Sequence, residues 1–190
     1  MDMPVIDAGD VELPSEDDLI AIAETLVKDA SAEGITLATA ESCTGGLVAG
    51  AITGVPGSSS VLLGGVVSYS LAVKRSVLGV SPEVLDTFGA VSSECAHQMC
   101  DGARTVTGAK VAVSITGIAG PGGAEPGKPV GTVWFGVATP FSTTTVMHVF
   151  SGDRRTVRFK AVATALGLLH GGVVEAAFDG QDEVSPFSLL

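Results

Sequence analysis

Positive charge is scarce in this chain: 10 Lys and Arg stand against 21 Asp and Glu, a formal charge of −11. Nucleic-acid binding needs clustered cations that release counterions from phosphate, so no nucleic-acid partner is expected and the acidity reads as serving solubility. A small phosphorylated ligand stays compatible, because a local pocket can be positive inside an acidic surface. Aromatics are few as well, 7 Phe, 1 Tyr and 1 Trp, which leaves packing to Ala, Val, Leu and Ile. The three cysteines Cys43, Cys95 and Cys100 follow no disulfide-framework spacing, so a reducing compartment fits best. Nor do Cys95, His97 and Cys100 suit a metal: five residues apart on a helix, side chains diverge by about 140°. No segment approaches the ~18 continuous apolar residues of a membrane span. The acidic N-terminus lacks the basic start and apolar run of a signal peptide. The expectation is a cytoplasmic protein with no membrane or nucleic-acid contact. The sequence leaves oligomeric state open, a homo-oligomer included.

What is present is a core. With 190 residues and 46% apolar content, the chain is long enough for one compact domain and short for two. Residues 1–14 read as a loose tail, 15–172 as the single domain and 173–190 as a frayed C-terminal tail. Ser15 opens a helix, with acids at Glu16, Asp17 and Asp18 and an apolar stripe from Leu19 to Leu26. Strands are expected over 35–39, 61–69, 111–116, 132–139 and 143–150, with Gly64 and Gly65 marking a bulge in the second. Helices are expected over 47–52, 70–78, from Ser81-Pro82, from Ser92 or Ser93 to about 106, and over 154–169. This alternation predicts an α/β domain, a three-layer α/β/α sandwich. The short Pro140 connection makes its two strands antiparallel, so the sheet is expected to be mixed, mostly parallel.

The run Ala40-Glu41-Ser42-Cys43-Thr44-Gly45-Gly46 carries a strand into a helix, where backbone N–H groups lie unpaired. Ser42 is a candidate nucleophile there, and Thr44, Gly45 and Gly46 would let a carbonyl approach their amides as an oxyanion hole. An ordinary N-cap serine explains the same residue. Tyr69, at a strand end, and Lys74, on the next helix, supply what a serine requires, a group to take its proton. A desolvated lysine, or a tyrosinate beside an ammonium, can do this; a boundary tyrosine and a solvated lysine are the plain alternative.

Further motifs occur in one order: Val67-Ser68-Tyr69-Ser70 with Lys74, Gly89-Ala90-Val91-Ser92, and Ser114-Ile115-Thr116-Gly117-Ile118-Ala119-Gly120-Pro121. After them come Lys128-Pro129-Val130-Gly131-Thr132-Val133-Trp134 and Phe150-Ser151-Gly152-Asp153-Arg154. With the Ser42 run they closely resemble the C-terminal domain of the competence/damage-inducible protein CinA, over roughly Asp18 to Leu169. Standalone members of that family are nicotinamide-nucleotide amidohydrolases. The resemblance implies an α/β/α fold, no metal or cofactor, and deamidation of nicotinamide mononucleotide to nicotinic acid mononucleotide and ammonia. The family's Ser-Tyr-Lys group falls on Ser42, Tyr69 and Lys74, either of the last two being the base. A non-catalytic module that binds a pyridine nucleotide or a partner protein is the competing reading.

Gly122 to Lys128 matches GxxxxGK, but Pro129 stands where a P-loop needs Ser or Thr. Thr116, Gly117 and Gly120 follow a strand and are candidates for substrate binding, a plain turn being the alternative. Arg154, before a helix, is a candidate for the substrate phosphate. Arg155, Arg158 and Lys160 read as a solvated helix face, and Cys43 is a rival nucleophile beside Ser42.

Overall fold

Ser15 starts helix α1 (Glu16–Ala32) through a reciprocal pair of bonds: its hydroxyl accepts from the Asp18 amide, and the Asp18 carboxylate accepts from its own. Leu19, Ala23, Leu26, Val27 and Ala30 recur at helical spacing and form the buried stripe. The structure, a computed structural model, describes residues 5–6 and 13–178. Six strands form one sheet: β1 (Val5–Ile6), β2 (Leu37–Glu41), β3 (Leu62–Val67), β4 (Val111–Gly117), β5 (Thr132–Ala138) and β6 (Thr143–Val149). Their order is β1-β6-β5-β4-β2-β3. Both pairings of β5 are antiparallel and the other three are parallel, so β5 alone runs against the rest. The sheet is mixed, as the short Pro140 connection requires.

The remaining helices are α2 (Leu47–Thr53), α3 (Leu71–Ser76), α4 (Pro82–Thr87), α5 (Ser93–Thr107) and α6 (Arg154–Ala177). Side chains alternate across β4 and separate two cores. Val111, Val113 and Ile115 pack with Leu26 of α1 and Leu166 of α6, whereas Ala112 packs with Cys95, Met99 and Ala103 of α5. That makes three layers, helix on sheet on helix. Helix α6 has the length and hydropathy of a membrane span, but its apolar side is buried in the core, from Val157 through Leu169 to Val173.

Several boundaries differ from the sequence reading. Helix α6 runs to Ala177, past the domain edge expected at 172, because Val173 continues its buried stripe. Within the expected N-terminal tail, Val5 and Ile6 pair with Met147 and His148. The rest of that tail, and residues 179–190, lie outside the described residues. Strand β2 sits two residues later than expected, running to Glu41. The bulge in β3 is real: pairing steps from Leu37–Leu62 to Ala38–Gly64 and leaves Leu63 over. Gly65 is there for closeness, since a Cβ on it would lie 2.5 Å from Thr39 Oγ1.

Strands β2, β3, β4 and β6 all end at the same edge of the sheet. The β2–β3 connection passes through α2 on one face, and the β3–β4 connection through α5 on the other. A crevice therefore opens at the carboxyl end of β2, where open α/β sheets bind ligands. Ser42 is the first residue beyond that end.

Candidate active site

The loop after β2 is held by Glu41. Its buried carboxylate accepts the amides of Gly46, Val48 and Ala49 at 2.9, 3.1 and 2.8 Å, supplying the first turn of α2 with the acceptor it lacks. Gly46, at φ 97°, is the N-cap of α2. Ser42 is thus not an N-cap serine, and its hydroxyl serves something else. The Ser42 amide continues the sheet by donating to Ile115 O at 2.9 Å.

That hydroxyl accepts from Lys74 Nζ at 2.9 Å, and the same amine donates to the Ser68 carbonyl at 2.6 Å. Lys74 is only 1% exposed. No carboxylate pairs with it among the described residues. Burial without a counter-ion pushes its amine below the ordinary lysine range, an effect the nearby Cys95 and Cys43 thiols offset in part. That shift favours the neutral amine, the form that takes a proton. Burial instead pushes the Cys43 thiol up to about 11, so it stays protonated and is a poor rival to Ser42.

Tyr69 lines the same cavity, of about 390 Å3, as Ser42 and Lys74. Its side chain is 62% exposed, and its hydroxyl accepts from Arg154 Nη2 at 3.1 Å rather than bonding to Ser42 or Lys74. Arg154 also lines the cavity and donates through Nη1 to Gly120 O at 2.8 Å. It follows Asp153, the N-cap of α6, which accepts from the Thr156 amide. The Thr116 hydroxyl donates to Ala90 O at 2.6 Å, fixing one wall. Thr116 and Gly117 both line the cavity, and Gly117 also packs closely, for a Cβ there would lie 2.8 Å from Thr132 O. Gly120 does not line the cavity; its carbonyl steadies Arg154 from behind.

The amides of Gly45 and Gly46, expected to face a substrate, are occupied. Gly45 donates to Ser42 O at 3.2 Å, and Gly46 to Glu41. The turn and the α2 cap consume them. Thr44, also expected to face a substrate, is fully buried and does not line the cavity, whereas Cys43 does line it, which leaves the Cys43 amide as the donor beside Ser42. Arg158 and Lys160 are not a solvated face. Arg158 donates to the Cys43 and Thr44 carbonyls, and Lys160 is 5% exposed, near Ser151 O. Arg155 is exposed and lies over the Phe159 ring. Gly122 to Lys128 closes a tight turn in which Glu125 pairs with Lys128. No three His, Cys, Asp or Glu side chains among the described residues gather as metal ligands. Glu41, Ser68 and Arg158 were missed in the sequence. Glu41 had a signal, a carboxylate five residues before a glycine N-cap, but Arg158 reaches across 115 positions and had none.

Fold and site together define a three-layer α/β protein with a buried lysine on a serine hydroxyl at the carboxyl edge of its sheet. The profile of the CinA C-terminal domain matches residues 19–173, and the chain belongs to that family. It is 50% identical over 146 residues to a CinA-like protein of Anaeromyxobacter dehalogenans, covering 77% of this chain and 36% of that one. With a CinA-like protein of Thermotoga neapolitana it shares 47% over 131 residues, 69% of this chain and 32% of that one. The chain thus spans about a third of the length of these curated relatives. Among solved structures, a competence/damage-inducible protein of Agrobacterium tumefaciens superposes with a TM-score of 0.78 at 41% identity, covering 84% of this chain and 96% of that one. The competence damage-inducible protein A of Klebsiella pneumoniae gives 0.79 at 38%, covering 82% and 97%.

Proposed function

We propose that the chain is an amidohydrolase that converts nicotinamide mononucleotide and water to nicotinic acid mononucleotide and ammonia, with Ser42 as nucleophile. The observation that carries this is the contact of 2.9 Å between Ser42 Oγ and the buried, carboxylate-free amine of Lys74. Neutral Lys74 takes the Ser42 proton as Oγ bonds to the carboxamide carbon. The carbonyl oxygen gains charge and is received by the Cys43 amide. Lys74 returns the proton to the nitrogen, the C–N bond breaks and ammonia leaves an ester on Ser42. Water then gives a proton to Lys74 while its oxygen attacks the ester, and the acid departs as Ser42 regains its hydrogen. Lys74 is the base in both halves, since its amine, and not the Tyr69 hydroxyl, bonds to Ser42 Oγ.

The substrate class is drawn from the family resemblance and from what the cavity supplies. Its volume lies within the ~300–1,000 Å3 typical of small-molecule sites. The cationic pyridinium makes the carboxamide electrophilic, and an acidic protein does not oppose that cation. Arg154, beside a helix N-terminus at the rim, suits a phosphate. The test is ammonia release from nicotinamide mononucleotide, the riboside and the dinucleotide. Turnover of the mononucleotide, lost in Ser42→Ala, supports the reading. Tight binding without ammonia from any of them would instead leave a nucleotide-binding module.

A further inference from the structure

Two segments distant in sequence, Phe88 to Ser92 and Gly122 to Lys128, meet beside the Ser42 cavity. The first connects α4 to α5 and belongs to no strand or helix, yet its Ala90 and Val91 line the cavity with Ser42 and Lys74. With no ladder to place it, this wall depends on side chains, and three consecutive carbonyls are each taken by one. Lys128 Nζ donates to Phe88 O at 2.8 Å, the Ser92 hydroxyl to Gly89 O at 2.9 Å and the Thr116 hydroxyl to Ala90 O at 2.6 Å.

The loop that carries Lys128 is rooted in another part of the same lining. Gly117 and Ala119, at the end of β4, line the cavity, and there the two legs of the loop are pinned together. Ile118 donates to Thr132 O and Gly131 to Ile118 O, both at 2.8 Å. At the tip, the amides of Glu125 and Lys128 each donate to the other's carbonyl, and the Glu125 carboxylate stands 3.3 Å from Lys128 Nζ. The loop is therefore a strap, rooted in one wall and fastened to the other through the Lys128 ammonium. Gly89, at φ 79°, leaves room for that ammonium, for a Cβ there would lie 3.3 Å from Nζ.

The three ties differ in their surroundings. Ser92 and Thr116 are buried, whereas the Lys128 side chain is 24% exposed and shares its charge with a more exposed carboxylate, so water competes for it. We propose that this outer tie is the one that opens: Lys128 is a positioning residue, a latch that holds the Ala90–Val91 wall closed on the substrate and sets how tightly the site binds. It touches no substrate itself. The assignment rests on the reading of Ser42 as nucleophile and says which residue keeps the substrate against it.

Lys128→Met and Lys128→Arg test it with two readouts. One is nucleotide deamidation, and the other is labelling of Ser42 by an aryl fluorophosphonate, followed over probe concentration. The probe needs Ser42 and the cavity but no nucleotide, so its half-saturating concentration separates this assignment from the choice of substrate. An open wall lowers the fraction of protein competent to bind, and apparent affinity falls by the inverse of that fraction. In Lys128→Met, KM should rise about three- to tenfold, as for a closed fraction of about a third to a tenth. Its kcat should change less than about twofold, because the bond between Lys74 and Ser42 is untouched. The half-saturating probe concentration should rise with KM. Mononucleotide and riboside should shift equally, since the phosphate is assigned to Arg154. Lys128→Arg keeps a charged donor for Phe88 O and should stay within about twofold of wild type. Lys128→Gln, shorter and uncharged, should fall with Met and carries the test if the Met variant does not fold. The same probe shift in a protein whose wild type releases no ammonia would sustain the latch while removing the substrate. In a folded Met variant, KM and half-saturating concentration both within about twofold of wild type would overturn the latch, whatever the change in Tm. So would a KM rise confined to the phosphorylated substrate, which would make Lys128 a phosphate ligand.

Discussion

Replacing Lys74 by Met keeps most of the buried chain and removes the amine, and it should do opposite things to activity and to stability at neutral pH. The rate should fall about 100- to 10,000-fold, the span attributed to a positioned base. Stability changes through two terms. The Ser68 carbonyl, which accepts from Lys74 at 2.6 Å, loses its buried donor, costing about 1–3 kcal/mol at every pH. Against that, the variant no longer buries an amine that has no carboxylate partner. Burial lowers the amine's pKa in the folded protein, so between the folded value and the ordinary ~10.4 the unfolded chain binds more protons. Wild-type stability therefore rises with pH across that window, whereas Met has nothing to titrate. Each unit of depression is worth about 1.4 kcal/mol, and for a domain of this size each kcal/mol moves Tm by roughly 2–4 °C. Melting curves of both proteins from pH 6 to pH 10.5 give the difference directly, with other groups cancelling. The variant should compare best with wild type at neutral pH and lose ground by several degrees as pH rises. A difference that stays flat would mean that the folded amine titrates as an ordinary lysine, and the proposed base would lose its basis.

Other consequences are open to direct measurement. In wild type, kcat/KM for deamidation should rise with pH through the depressed Lys74 pKa, on a limb lying below the ordinary lysine range; a limb at ordinary lysine values would contradict the assignment. Arg154→Ala should raise KM for the mononucleotide roughly ten- to a hundredfold, for a contact worth about 1.5–3 kcal/mol, and leave the riboside nearly unchanged; equal losses would make its bonds to Gly120 and Tyr69 its main role. Glu41→Ala strips three amides of a buried acceptor, at about 1–3 kcal/mol for each amide left dry. Its Tm should fall by more than about 5 °C, and a smaller change would mean that water replaces the carboxylate.

The features that were legible in the sequence are those set by local chemistry. Ser15, Ser81 and Ser92 announce helices through caps that depend on neighbouring residues, and the short Pro140 connection announces the antiparallel pair. Ser42 stood out because a strand, a serine and two glycines follow one another within a few positions. The illegible features depend on contacts across the fold. Arg155, Arg158 and Lys160 read alike on a helix surface, yet α6 turns Arg158 toward the Ser42 loop and Lys160 into the interior. Thr44, Gly45 and Gly46 likewise read alike as donors, and only the burial of Thr44, the bond from Gly45 to Ser42 and the cap by Glu41 show that none of the three faces the cavity. Tyr69 and Lys74 are near neighbours in sequence, but one faces solvent beside Arg154 and the other is sealed against Ser42. Sequence spacing carries no record of that division.

The central claim, that Ser42 attacks a pyridine carboxamide, is tested most directly by trapping the enzyme in mid-reaction. Nicotinamide mononucleotide is mixed with the protein, quenched in acid within milliseconds to seconds, and the digested peptides are analysed by mass spectrometry. The account predicts an acyl adduct of the nucleotide on the peptide bearing Ser42, absent from Ser42→Ala and accompanied by ammonia. An adduct on Cys43, or ammonia released at the wild-type rate by Ser42→Ala, would contradict it.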